Sequence, residues 1–226
     1  MISRLAGRYR CLAADAPGFG ESSDSDVDSD VEGYTVEEMT QQVLELVASF
    51  EGEYVLVGHS MMGKVSMVAA SRKPERLRGV VLVAPSPLVP EPMTEAARAT
   101  MVVGNESRET ALEFFVKGAK TELDAETQRI GVADVLRANP VAWRRWPQSG
   151  TREDWSGAIS PLTLPSLLVV GEFDEAIPAD FQREHTLPKL AQGQMELVKG
   201  VAHLIPYEAP GELAGLIDRF VAGLVG

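Results

Sequence analysis

The chain of 226 residues is 45% hydrophobic and 24% charged, a globular composition that excludes a disordered or fibrous protein and suits one domain with an insertion. Against 33 acidic residues it sets 21 basic ones, a formal charge of −12 that repels phosphate backbones and anionic lipid, so no nucleic acid and no membrane is expected as a partner. No apolar run approaches the ~18–20 residues of a bilayer span, and Met1–Ala16 interrupts any signal-peptide core with Arg4, Arg8 and Arg10, which makes a cytoplasmic location the expectation.

Short apolar runs alternate with longer helical stretches, the pattern of an α/β protein with a mostly parallel, doubly wound sheet. The first expected strand is Tyr9–Ala13. It contains Cys11, the single cysteine, which rules out an internal disulfide; with no Cys/His cluster elsewhere, no structural metal is expected. Ser22–Glu32 is acidic and aperiodic and reads as a loop. Within it Asp28, Asp30 and Glu32 before Gly33 look like the start of a calcium loop, but the twelfth position is Met39 rather than glutamate, so a solvated loop is the better reading.

A helix follows from about Val36 to Phe50, with Val36, Met39, Val43, Val47 and Phe50 spaced by three and four. Thr35 and Glu38 form a capping-box pattern at its start. The strand Tyr54–Val57 then runs into Gly58-His-Ser60-Met-Met-Gly63 and a helix from Met61 to about Arg72, ended by Pro74. A strand, a tight turn and a helix in direct succession put the middle serine at the turn's tip, where its hydroxyl and the helix's first N–H groups face the same space. Such a backbone is strained and wants small residues two before and two after the serine; Gly58 meets this, Met62 does not.

After the strand Val80–Ala84, Pro85 to Pro161 holds helical patches at Thr94–Val103, Glu109–Ala119 and Glu126–Ala138, too long a stretch for a bare loop. Residues 86–160 are therefore read as a helical lid inserted between two parts of the core, 1–85 and 161–226. Its Met93, Met101, Phe114, Phe115, Trp143, Trp146 and Trp155 suit an acyl pocket, with Trp143, Trp146 and Phe114 as candidates, and equally suit the lid's own small core.

The strands Leu167–Val170 and Met195–Val198 and a last helix from about Gly211 to Leu224 complete the pattern. In a parallel sheet the loops after the strands gather on one edge. On that edge a serine needs a base. Of three histidines, His59 adjoins Ser60 with its side chain expected to point away from the hydroxyl, His185 lies in a charged surface stretch, and His203 follows the last strand; His203 is the candidate base. Glu172, Asp174 and Glu175 follow the strand before it. All three compete to orient the histidine, and Asp174, three residues past Gly171 with Pro178 closing the loop, is preferred.

Asp15-Ala-Pro-Gly18-Phe-Gly20, Gly58-His-Ser60-Met-Met-Gly63, Gly171-Glu-Phe-Asp174 and Ala202-His203 with Glu208-Ala-Pro210 resemble, in order and spacing, the α/β-hydrolase superfamily. The likeness is greatest to small bacterial carboxylesterases, enol-lactonases and cofactor-free haloperoxidase-like members. It implies a serine hydrolase of a small, largely apolar ester or lactone, with Ser60 as nucleophile, His203 as base, Asp174 as acid, the Met61 N–H in the oxyanion hole, and neither metal nor cofactor. Asp15 and Glu208 would be structural members of their loops. Serine at position 60, where dehalogenase and epoxide-hydrolase relatives carry aspartate, points away from those chemistries. Perhydrolysis, thioester cleavage and carbon–carbon hydrolysis use the same set of residues. One departure stands out. Relatives carry about three strands and a His-Gly loop before the Asp15 motif, whereas this sequence reaches Asp15 almost at once and has no His-Gly pair. The expectation is an N-terminally truncated form of a longer esterase; the rival is a non-catalytic binding protein built on the same fold.

Overall fold

The structure, a computed structural model, describes residues 1–22 and 34–224. The calcium-like stretch Asp28–Gly33 and all of the acidic loop beyond Ser22 lie outside the described residues.

In chain order the elements are α1 (Ile2–Leu5), α2 (Val36–Ala48), β1 (Tyr54–His59), α3 (Met61–Ser71), β2 (Leu77–Val83), α4 (Glu95–Val102), α5 (Arg108–Lys117), α6 (Ala125–Arg137), α7 (Pro140–Gln148), β3 (Leu162–Gly171), α8 (Ala179–Phe181), β4 (Leu190–Val198), α9 (Ile205–Glu208) and α10 (Pro210–Gly223). The strands form one sheet in the order β1-β2-β3-β4, parallel throughout.

Side chains of a strand alternate between faces, and here the alternation divides the core in two. Val80, Leu82, Leu168 and Val170 pack against Val36 and Met39 of α2 and Val65 and Val68 of α3. Val81, Val83, Leu167 and Val169 face the other way, onto Leu213, Leu216 and Ile217 of α10 and Leu5 of α1. Both faces are covered over Val80–Val83 of β2 and Leu167–Val170 of β3, which is why these stretches read as unbroken apolar runs rather than alternating ones.

The capping box at the start of α2 is closed in both directions: Thr35 Oγ1 accepts from the Glu38 N–H at 3.2 Å, and a Glu38 carboxylate oxygen accepts from the Thr35 N–H at 3.0 Å. The expected strand at Tyr9–Ala13 is absent. Tyr9 and Cys11 pack against the α10 face, but none of the four strands pairs with this segment, and a strand exists only through the neighbour that takes up its backbone groups.

Between β2 and β3, helix α5 packs on α6 and α4 on α7. Phe114 meets Trp143 edge-on at 4.9 Å, and Trp143 sits with Ala111, Val132, Val135 and Ala138 in a small core of this segment. Trp146 instead belongs to the main core beneath, where Lys64 of α3 reaches up to it. Lys64 is fully buried; its ammonium donates to the carbonyls of Glu153 at 3.0 Å and Gly150 at 3.3 Å and lies 5.7 Å from the Trp146 ring centre.

Candidate active site

Three loops leave the C-terminal ends of β1, β3 and β4 on the same edge of the sheet, and each carries one polar residue inward. The first is the turn from β1 into α3. Ser60 caps α3 with φ 52° and ψ −120°, a left-handed backbone that an L-residue adopts only under strain. The turn is held by the Ser60 N–H donating to Val83 O at 3.0 Å, while its carbonyl accepts from Gly63 N at 2.8 Å and Ser86 N at 2.9 Å. Close packing enforces glycine at two places. A Cβ on Gly58 would stand 2.3 Å from the Met62 carbonyl oxygen, and one on Gly63 would stand 2.4 Å from Pro85 Cβ. The crowded position after the serine is therefore the third, not the second, and Met62 is accommodated because its side chain packs against the main core.

The second loop follows β3. Asp174 is buried, its Oδ1 accepting from Ala176 N and Ile177 N, each at 3.0 Å. Its neighbours do other things: Glu172 accepts from the Gly200 N–H at 2.9 Å, and Glu175 is exposed. The third loop follows β4 and carries His203. Its Nδ1 lies 2.9 Å from Asp174 Oδ2 and its Nε2 lies 2.8 Å from Ser60 Oγ. The carboxylate can only accept, so Nδ1 holds the proton and Nε2 presents its lone pair to the serine hydroxyl. The structure thus brings Ser60, His203 and Asp174 into one series, while His185 packs its ring on Phe181 at 4.2 Å.

Burial disfavours the charged His203 ring, but the hydrogen bond and charge of Asp174, with Glu91 and Glu208 behind, outweigh it, and the net shift is upward from the ordinary histidine value. His59 moves the other way, down to about 4, because burial and the neighbouring His203 both resist a second positive charge. Glu91, partly buried, has a carboxyl raised by desolvation beside the Ser86 hydroxyl.

Two anchors hold the His203 loop: Glu208, expected from the resemblance as a structural member of its loop, and Gly118, which has no signature in the sequence. The Gly118 carbonyl, at the end of α5, accepts from the N–H groups of His203 at 3.0 Å and Leu204 at 3.1 Å. Glu208 accepts from Ala202 N at 2.9 Å with one oxygen and from Lys120 N and Thr121 N, at 2.7 and 2.8 Å, with the other. Glu208 thereby ties the loop after β4 to the connection between α5 and α6. Asp15 closes its own turn by accepting from the Glu21 N–H at 2.8 Å.

Met61 opens α3, so its N–H has no acceptor within the helix. Among the described residues no group of three His, Cys, Asp or Glu side chains stands close enough to hold a metal ion. A cavity of about 660 Å³ lies elsewhere, at the N-terminal ends of β2 and β3, bounded by Arg72, Leu77, Trp155, Ile159 and Leu162.

The profile described as "Alpha/beta hydrolase family" matches residues 1–216. The chain belongs to the α/β hydrolase family. A 2-(acetamidomethylene)succinate hydrolase of Mesorhizobium japonicum is 26% identical over 190 residues, covering 79% of this α/β hydrolase and 66% of that protein's own length. A pimeloyl-[acyl-carrier protein] methyl ester esterase of Nitrosomonas europaea is 26% identical over 212 residues, 84% of this chain and 77% of that one. Among solved structures, an esterase from Exiguobacterium antarcticum superposes with a TM-score of 0.85 at 18% identity, covering 98% of this chain and 84% of its own. No helix among the described residues is long and apolar enough to cross a membrane.

Proposed function

We propose that this α/β hydrolase cleaves a small, largely apolar carboxylic ester or lactone through an acyl-enzyme on Ser60. The observation that carries the reading is the unbroken series from Ser60 Oγ through His203 to Asp174, with contacts of 2.8 and 2.9 Å. A hydroxyl so placed loses its proton to His203 Nε2 as Oγ attacks the ester carbonyl. Asp174 holds the ring in the required tautomer and steadies the positive charge it acquires. The carbonyl oxygen, now negative, is met by the Met61 N–H at the positive end of α3. His203 returns its proton to the departing alkoxide, then takes one from water, whose attack on the acyl-enzyme frees the acid and Ser60. The curated relatives with hydrolase and esterase activities agree with the reaction class. In this reading residues 86–160 form a lid over the site, and its inner side sets which acyl group enters.

Ser60→Ala is expected to abolish turnover of p-nitrophenyl acetate and butyrate while leaving circular dichroism and melting unchanged, and a fluorophosphonate probe is expected to label the parent protein but not this variant. Retained turnover in Ser60→Ala would reject the assignment. Failure of the parent protein to label would favour a non-catalytic binding protein on the same fold.

A further inference from the structure

His59 ends β1 and directly precedes Ser60, yet its ring does not idle at the surface. Its Nε2 lies 2.9 Å from the backbone carbonyl oxygen of His203, with the two ring centres 5.1 Å apart at 43°. A carbonyl oxygen can only accept, so His59 Nε2 carries the proton and donates it. The peptide groups of His203 are therefore held on both sides: its N–H by Gly118 O at 3.0 Å, its C=O by His59. Fixing both fixes the Cα–Cβ direction, and with it the line along which the imidazole meets the serine. The two sides differ in kind. Gly118 belongs to the helical segment between β2 and β3, whereas His59 belongs to the sheet and adjoins Ser60 in the chain. His59 sets the His203 backbone against the very strand that carries the serine.

We infer that His59 is a positioning residue for catalysis: by donating to the His203 carbonyl, it holds the base in line with Ser60. The inference rests on the serine-hydrolase reading above. Histidine suits the task because it supplies a donor without a charge. With its ring held uncharged at neutral pH by burial and by His203, it leaves room for the single positive charge that His203 takes up in each turnover. A lysine or arginine would offer a donor but set a permanent cation against that charge. The competing role is plain space-filling, in which the ring matters and the proton does not.

Glutamine and methionine have nearly the same length and shape, and only glutamine donates, so the pair His59→Gln and His59→Met separates the two roles. With p-nitrophenyl acetate, His59→Met is expected to lose on the order of ten- to a hundredfold in kcat with KM moving less than about twofold, since a misaligned base slows chemistry and leaves ground-state binding intact. His59→Gln is expected to recover to within about threefold of the parent kcat. The proton shared by His203 Nδ1 and Asp174, followed by NMR, is expected to stay sharp in the parent and in His59→Gln and to broaden in His59→Met, a readout that needs no substrate. If His59→Met does not fold, His59→Phe, which keeps an aromatic ring and lacks the donor, takes its place against His59→Gln. A donor-free variant as fast as the parent, or His59→Gln falling as far as His59→Met, overturns the inference and leaves the serine-hydrolase reading standing. A parent protein that neither turns over ester nor reacts with fluorophosphonate overturns that reading, and this inference with it.

Discussion

Asp174 and His203 are joined through one carboxylate oxygen, while the other oxygen is occupied by the N–H groups of Ala176 and Ile177. The division has a mechanical result: the carboxylate is held by its own loop independently of the imidazole it meets. Asp174→Asn keeps an oxygen for the two N–H groups but can present an amide to Nδ1, which favours the wrong tautomer. We predict that Asp174→Asn lowers kcat on a short p-nitrophenyl ester by about 10³–10⁴ with little change in melting temperature. Steady-state kinetics beside a thermal melt check both halves.

The pH profile of kcat/KM should report the His203 ring. It must be neutral to accept the serine proton, and its pKa lies above the ordinary value, so activity should fall on the acid side with a midpoint above 6.5. Glu91 is one of the carboxylates that raise it. In Glu91→Gln that attraction is gone and the acid limb should move to lower pH. An unmoved limb would place the Glu91 charge out of effective reach of His203.

The turn around Ser60 offers a stability test. Gly63→Ala forces a methyl group to within 2.4 Å of Pro85 Cβ and 2.7 Å of its Cα, and should destabilise the protein by about 1–3 kcal/mol. Met62→Gly removes only helix propensity and some packing at a partly buried side chain, and should cost less. Denaturant midpoints of the two variants give the order.

Lys64 joins the core to the segment between β2 and β3. Lys64→Ala would leave the Gly150 and Glu153 carbonyls without their donor and open a void beneath Trp146. A loss on the order of 2–4 kcal/mol is expected, with Lys64→Met losing less because it refills the space. Urea unfolding followed through tryptophan fluorescence would measure the difference.

Much of the fold is legible in the sequence because its signals are local. The apolar runs of β1 and β2, the Thr35–Glu38 cap and the glycine-flanked Ser60 each announce themselves within a few residues. The parts that are not legible depend on distant partners. Tyr9–Ala13 has strand composition but no strand to pair with, so no ladder forms. Helix α7 is masked by Pro140 and Pro147, although Pro140 occupies the first turn, where no N–H is missed, and Asn139 caps it by accepting from the Val141 N–H at 2.8 Å. The early halves of β3 and β4 are obscured by Pro165 and by Gln192-Gly193, yet Pro165 still pairs with Gln192 in the ladder. At the site, the residue types and their order in the chain are visible in one dimension. The choice of Asp174 over Glu172 and Glu175 as the neighbour of His203 becomes definite only once the loop has closed, and the Gly118 anchor has no local signature at all.

The left-handed backbone at Ser60 bears on how such a chain could change over time. A residue with a side chain held at φ 52° carries strain of order 1–3 kcal/mol that glycine would not feel. Replacing this one serine with glycine would yield a sturdier molecule with no hydroxyl to offer. Selection for robustness alone thus runs against chemistry at this position, and a lineage released from the need to react would be expected to drift toward the quieter residue there first.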